Sequence, residues 1–234
     1  MALFALSDTH LSSKVNKPMH IFGSRWNDHR NKIMISWNEI VKENDTVIIP
    51  GDISWGINFE EAVDDIGFID SLPGNKILMK GNHDYWWNTV NKMTAFFSDN
   101  SFNTIRILNN NSYETDSFVI CGSRGWYPDV KTPSGADYNK IVNREAGRLQ
   151  MSIDDGKRFD TAKERLVFMH FPAVFGDYIC RELIDVLHRN NIRRCFFGHI
   201  HGVYDIPCYY TFEDIEFHIV SADYLNFKPL LISN

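Results

Sequence analysis

Residues 46–55 read Thr-Val-Ile-Ile-Pro-Gly-Asp-Ile-Ser-Trp: a short apolar run that breaks at Gly51 and delivers Asp52 just beyond its end. A run of this length, rich in β-branched residues and closed by Pro and Gly, predicts a buried strand. The same pattern recurs along the chain. Leu3 to Leu6 is followed by Asp8 and His10, and Ile77 to Met79 by Asn82, His83 and Asp84. Leu166 to Met169 is followed by His170, and Cys195 to Phe197 by His199 and His201. Phe118 to Cys121 is a sixth run, without such a loop. In open α/β sheets the loops at the carboxyl ends of the strands converge on a crevice. The reading is that five such loops aim their polar side chains at one place.

Between the runs the period changes. Ile33, Trp37, Ile40 and Val41 fall at helical spacing, as do Phe59, Ala62, Val63, Ile66 and Ile69 before a Pro73-Gly74 stop, and later Ile179, Leu183, Val186 and Leu187. Strands alternating with helices predict a layered α/β fold. The Asn-rich turn at Asn109 to Asn111 suggests a hairpin joining Ile105–Leu108 to Phe118–Cys121. Ile215 to Val220 and Leu230 to Ile232 suggest a closing antiparallel pair in a second sheet. With 234 residues and no repeat or linker-like stretch, a single domain spanning 1–234 is expected.

Composition narrows the function classes. Charged residues make up 23% and hydrophobic residues 44%, a globular balance that excludes a disordered or collagen-like chain. The net charge of −6 argues against non-specific nucleic-acid binding, which draws affinity from Lys and Arg. It leaves an anionic small substrate open, because bound cations would reverse the local field. Cys121, Cys180, Cys195 and Cys208 form no C-x-x-C pair and read as reduced thiols of a cytoplasmic protein. No stretch approaches the ~20 apolar residues of a membrane span, and the apolar start is too short for a signal sequence. Oligomeric state is not legible.

The residue types in the loops suit metal chemistry. Imidazole and carboxylate donors match Mn, Fe, Zn, Co or Ni, and no cysteine falls among them. In Asp8-x-His10 and His199-x-His201 the paired side chains lie two residues apart, so on an extended backbone they project to the same side. A glycine before Asp52, Asn82 and His199 lets the chain turn tightly as it leaves the strand.

The blocks S-D-T-H (7–10), G-D-I-S (51–54), G-N-H-D (81–84), M-H-F-P (169–172) and G-H-I-H-G (198–202), in this order, resemble the calcineurin-like metallophosphoesterase superfamily. G-D-I-S-W, K-G-N-H-D-Y-W-W and C-G-S-R-G-W are similar to its predicted bacterial phosphohydrolase branch. The resemblance implies a four-layer α/β/β/α sandwich with two mixed β-sheets flanked by helices. It implies that Asp8, His10 and His201 hold a first metal ion, that Asn82, His170 and His199 hold a second, and that Asp52 bridges both. Two divalent or mixed-valence ions are implied, Mn or Fe foremost, with Zn, Ni, Co or Mg also open. The implied reaction is hydrolysis of a phosphomonoester or phosphodiester by a hydroxide bridging ions ~3.5–4 Å apart. His83 resembles the catalytic histidine of the family, donating a proton to the leaving oxygen or stabilising charge there, with Asp84 fixing its tautomer. The alternative is a non-catalytic scaffold of the same fold that binds a partner protein. The protein serine/threonine phosphatase pattern G-D-x-x-D-R-G is absent, so that branch is disfavoured.

Several residues stay open at this level. Arg124 can fork onto a substrate phosphate or pair with a carboxylate. Tyr85, Trp86 and Trp87 can stack on an aromatic ligand or turn into the core. Asn16 to His29 is a long connection beside the first block that can shape specificity, with His20 and His29 read as non-ligands. Gly125 to Arg165, with a Pro/Gly-rich part and a helix bearing Arg144, Glu145 and Arg148, can cap a cleft or form a crossover.

Overall fold

In the computed structural model, which describes residues 1–128, 136–160 and 162–233, the expected runs are strands and the expected periodic stretches are helices. In chain order the strands are β1 (Leu3–Ala5), β2 (Thr46–Ile49), β3 (Asn75–Leu78), β4 (Ile105–Ile107), β5 (Tyr113–Glu114), β6 (Phe118–Ser123), β7 (Glu164–Met169), β8 (Val174–Phe175), β9 (Tyr178–Ile179), β10 (Arg194–Phe197), β11 (Tyr209–Phe212), β12 (Ile215–Ile219) and β13 (Leu230–Ser233). The helices are α1 (His29–Ile40), α2 (Phe59–Ser71), α3 (Val90–Asp99), α4 (Ala136–Gly156) and α5 (Arg181–Arg189). The fold is mixed α/β with two large mixed sheets and accompanying helices.

The chain forms two compact units. The first comprises Met1–Ile107, His199–Tyr204 and Val220–Asn234, the second Leu108–Gly198 and Asp205–Ile219. The first unit contains a sheet of order β13-β1-β2-β3-β4, in which β1 to β4 run parallel and β13 runs antiparallel to β1. Strands β1 and β2 are buried along their whole length, as near-continuous apolar runs in a parallel sheet require. Ile33 and Trp37 of α1, Ala62, Ile66 and Ile69 of α2, and Met93, Phe96 and Phe97 of α3 form one core with the sheet residues Phe4, Val47, Ile49 and Leu78. Helix α2 starts where Asn58 caps it, its side chain accepting from the Glu61 N–H at 3.0 Å, and stops at Ser71 just before Pro73-Gly74. Trp37 is tied down by its indole N–H, which donates to the Pro73 carbonyl at 2.9 Å.

The second unit is built on a sheet of order β11-β12-β10-β7-β6-β5. Its four central strands are parallel, and an antiparallel strand lies at each edge. Ser152 of α4 accepts from the Gly122 N–H of β6 at 2.9 Å, and α5 buries Leu183, Ile184, Val186 and Leu187.

Two sequence expectations about pairing are corrected. Ile105–Ile107 and Phe118–Ser123 do not form a hairpin: β4 pairs in parallel with β3, whereas β6 takes β5 and β7. The Asn109–Asn111 stretch instead leads into the two-residue strand β5, which fills the antiparallel place beside β6. Likewise β12 does not pair with β13; β12 lies between β10 and β11, and β13 pairs with β1. Helix α5 begins two residues after Ile179, which belongs to the short hairpin β8-β9. Residues 129–135, the Pro/Gly-rich part of the 125–165 segment, lie outside the described residues. Glu145 on α4 is fully buried, 2.7 Å from Arg148 and 4.0 Å from Arg124, so Arg124 takes the carboxylate-pairing option. Trp86 is buried before α3 begins, while Tyr85 is exposed.

Candidate metal centre

The first unit gathers Asp8, His10, Asp52, Asn82, His83 and Asp84 at the carboxyl ends of its parallel strands, and includes His199 and His201 from the segment that follows β10 in the chain. Two features make these loops stiff. Hydrogen bonding continues past the strand ends: Asp8 N–H donates to Gly51 O at 2.9 Å, His10 N–H to Asp52 O at 3.0 Å, and Leu11 N–H to Ile53 O at 2.9 Å. The glycines permit backbone contact. A Cβ on Gly51 would lie 2.4 Å from Gly81 N, and a Cβ on Gly81 would lie 2.0 Å from Asp52 Oδ1.

Four of the expected ligand residues adopt left-handed backbone conformations: Asp8 (φ 60°), His10 (φ 44°), Asp52 (φ 52°) and His199 (φ 67°). Each costs on the order of 1–3 kcal/mol for a non-glycine residue and persists only where the surroundings impose it. The strain turns the side chains off the strand axes and toward one another.

His10 Nε2 stands 3.2 Å from His201 Nε2, and His201 Nε2 stands 3.3 Å from Asp8 Oδ1. One ligand atom from each of Asp8, His10 and His201 lies within 4.8 Å of the others. Two imidazole nitrogens each ~2.1 Å from one ion would be separated by roughly 3–3.5 Å, so the spacing fits a shared cation. Asp52 Oδ2 lies 3.8 Å from His10 Nε2, and its Oδ1 accepts from the His83 backbone N–H at 2.8 Å. On the other side, His199 Nδ1 lies 3.1 Å from Asn82 Oδ1, and the His199 N–H reaches both Asp8 oxygens at 2.9 and 3.1 Å.

The electrostatics describe a nest short of positive charge. Burial raises the Asp52 carboxyl well above the usual carboxylate range, and the neighbouring Asp8 and Asp84 raise it further. At His201 burial works against the charged ring, but the carboxylates of Asp8 and Asp223 outweigh it and hold the imidazole at about 10. Buried carboxylates and imidazoles that compete for protons in this way are the donor set a divalent cation satisfies.

Asp84 serves a different purpose from the one expected. Its carboxylate accepts from the backbone N–H groups of Asp52 and Gly81 at 2.8 Å, Ile53 at 2.8 Å and Ser54 at 3.3 Å, and from the Trp86 indole at 3.0 Å. These bonds clamp the Asp52 loop to the Asn82 loop, and none goes to His83. The His83 ring is half-buried, with Nε2 4.0 Å from Asp52 Oδ2, and burial lowers its pKa. His29, read as a non-ligand, places Nε2 3.3 Å from the His10 carbonyl.

Asp223 is a site residue that the sequence reading missed. Its Oδ1 lies 2.8 Å from His201 Nδ1, while Oδ2 accepts from Gly202 N–H and Tyr204 Oη at 3.0 Å. This carboxylate holds the tautomer that leaves Nε2 for a cation. The signal was present: Asp223 closely follows the Ile215–Val220 run, as Asp8 and Asp52 follow theirs. His170 belongs to the second unit. It follows β7, is fully buried, and its carbonyl accepts from the Gly198 N–H at 3.1 Å.

Comparison with known proteins bears on the family and the fold. The chain is 33% identical over 78 residues to the gene 66 protein of Mycobacterium phage L5, covering 33% of this chain and only 37% of that protein's length. Two solved structures are similar over nearly the whole chain. A protein of unknown function from Aquifex aeolicus matches 98% of this chain and 95% of its own at TM-score 0.52 and 17% identity. The protein TT1561 of Thermus thermophilus matches 98% and 96% at TM-score 0.56 and 8% identity. At such identities the likeness concerns the fold alone. The calcineurin-like phosphoesterase family model matches residues 1–203, which include every block quoted above, and the chain belongs to that family.

Proposed function

We propose that this protein is a dinuclear-metal phosphoesterase acting on a small phosphorylated substrate. The observation that carries the reading is the convergence of Asp8, His10 and His201 beside the buried Asp52. Asp8, His10 and His201 would hold one ion and Asn82 and His199 another, with Asp52 shared between them. His170 is added as a further ligand on the family pattern. Mn or Fe is the favoured metal. Such ions, when bound, acidify a water and offset charge on the phosphoryl oxygens.

The chain's own groups have distinct tasks. Asp84 holds the two loops in register and Asp223 orients His201. His83 lines the same cavity as His10 and His201. Burial favours its neutral form, and nearby cations would favour it further, so His83 acts by donating a hydrogen bond to a substrate oxygen. A cytoplasmic setting is supported by four free thiols, three of them buried; burial pushes Cys121 up to about 12 and Cys180 to about 11, which makes both poor nucleophiles. Among the described residues no helix is long and apolar enough to cross a membrane.

The test is to load the purified chain with Mn, count metal by elemental analysis, and assay aryl phosphate monoesters and diesters in parallel. About two ions per chain and turnover of at least one ester class are expected, with both lost in Asp52→Asn and His170→Ala. Fewer than about one ion per chain and no turnover under any metal would overturn the reading.

A further inference from the structure

Beside the candidate metal-ligand cluster the first unit contains a cavity of about 320 Å³ with an aromatic wall made by Phe22, Trp26, Trp55 and Tyr204, completed by Met19. The imidazoles of His10, His83 and His201 line the same cavity. The wall touches the site directly. Trp55 stacks on His10 with ring centres 5.0 Å apart and lies 4.3 Å from His83, while Trp26 meets His201 edge-on at 5.6 Å.

The wall is fixed in place. Trp55 donates its indole N–H to Met19 Sδ at 3.2 Å, and Trp26 is buried against Phe227. Tyr204 is held by its hydroxyl on Asp223, with the Arg25 guanidinium 4.0 Å from its ring centre, and Arg25 donates to the Asp223 carbonyl at 2.9 Å. At the rim Phe22 remains 61% exposed and Tyr204 39% exposed. An exposed phenyl ring facing a rigid aromatic cavity, next to the imidazoles of the proposed metal site, is suited to be covered by an apolar part of a ligand. Few hydrogen-bonding groups other than the three imidazoles line this space, so it selects flatness and apolarity over a polyhydroxylated alcohol.

We infer that this cavity is the subsite for a planar ring on the alcohol portion of the substrate, so that the enzyme prefers phosphoesters of ring-bearing alcohols, whether nucleosides or aryl alcohols, over ring-free ones. The inference rests on the phosphoesterase reading and adds the substrate class to it. The segment that supplies Met19, Phe22 and Trp26 is a pair of short 3₁₀ turns, Met19–Phe22 and Ser24–Trp26, inserted between β1 and α1.

The test compares alcohols of matched leaving ability on the Mn-loaded full chain: benzyl phosphate, adenosine 5′-monophosphate and ethyl phosphate, each also as its methyl diester. Base stacking on an aromatic side chain is worth about 1–3 kcal/mol, so kcat/KM should favour the ring-bearing esters by roughly 5-fold or more, chiefly through KM. In Phe22→Ala and Tyr204→Ala the ratio of ring-bearing to ring-free kcat/KM should collapse toward unity. The benzyl and adenosine arms tell an aryl alcohol from a nucleoside, and preference for either supports the subsite. Equal kcat/KM for all three alcohols would overturn it while leaving phosphoester hydrolysis intact. Titration calorimetry with benzylphosphonate and ethylphosphonate decides the matter without turnover: tighter binding of the benzyl compound, lost in Phe22→Ala, supports the subsite even if no ester is hydrolysed, and equal affinity overturns it.

Discussion

At Asp52 two demands meet. The carboxylate must be buried to lie between two loops, and burial next to Asp8 and Asp84 raises its pKa. A carboxyl whose folded pKa exceeds its unfolded value contributes stability that is full below the ordinary carboxylate range and is lost as pH rises through the folded value. The metal-free chain should therefore lose stability relative to Asp52→Asn as pH rises above the ordinary carboxylate value of about 4, measured as urea midpoints in chelator. Parallel midpoints for the two proteins would refute this. Asp223 makes a second prediction. Asp223→Asn removes the charge behind His201 Nδ1 and should weaken metal binding roughly 10–100-fold in competition with a chromophoric chelator, with the fold unchanged by circular dichroism. The proposed ligand positions could be read from sequence because each closely follows an apolar run. The left-handed backbone at Asp8, His10, Asp52 and His199 could not, because Asp and His, although over-represented at positive φ, adopt it at only a small share of positions, where the surroundings impose it.

Helices follow from periodicity, but their ends need tertiary help, as α2 illustrates. Lys76 on β3 is fully buried, and its ammonium donates to the carbonyls of Asp70 at 3.0 Å, Leu72, and Gly74 at 2.8 Å, gathering backbone oxygens at and beyond the carboxyl end of the helix. Lys76→Met would leave these acceptors buried without a donor, and a loss of about 2–3 kcal/mol in urea unfolding is expected. Burial lowers the Lys76 pKa to about 8, against the pull of the Asp70 and Glu43 charges. A lysine below its unfolded value destabilises the fold while protonated, so the wild type should gain on Lys76→Met as pH rises from about 8 toward the ordinary lysine value near 10.4. A constant gap over that window would argue against the assignment. The element types were readable from sequence at this scale, since β2 is a four-residue apolar run and α2 a 3.6-period stripe. Strand partnership was not: β4 and β6 are close in the chain and adjacent in no sheet.

For the whole molecule, metal binding and folding are linked, because the donors are assembled only in the folded chain. At Mn concentrations about 100 times the dissociation constant the native state gains ~2.7 kcal/mol, which for a chain of this size corresponds to a rise of roughly 5–10 °C in Tm. The rise should vanish in chelator and in His201→Ala; a Tm indifferent to Mn would count against a metal centre. The sequence by itself determined the α/β class, the principal strands, helices α1, α2 and most of α5, and the set of loops that carry Asp, Asn and His, because these depend on local periodicity and on which residue follows which. The short strands β5, β8, β9 and β11 and helix α3 were not read from it. The tertiary structure alone decided which strands neighbour one another, how Gly81 packs on Asp52, that Asp84 binds loops rather than an imidazole, and that Asp223 stands behind His201. Most of those outcomes depend on contacts between residues tens to more than two hundred positions apart, whose energies are settled only when the chain has closed on itself.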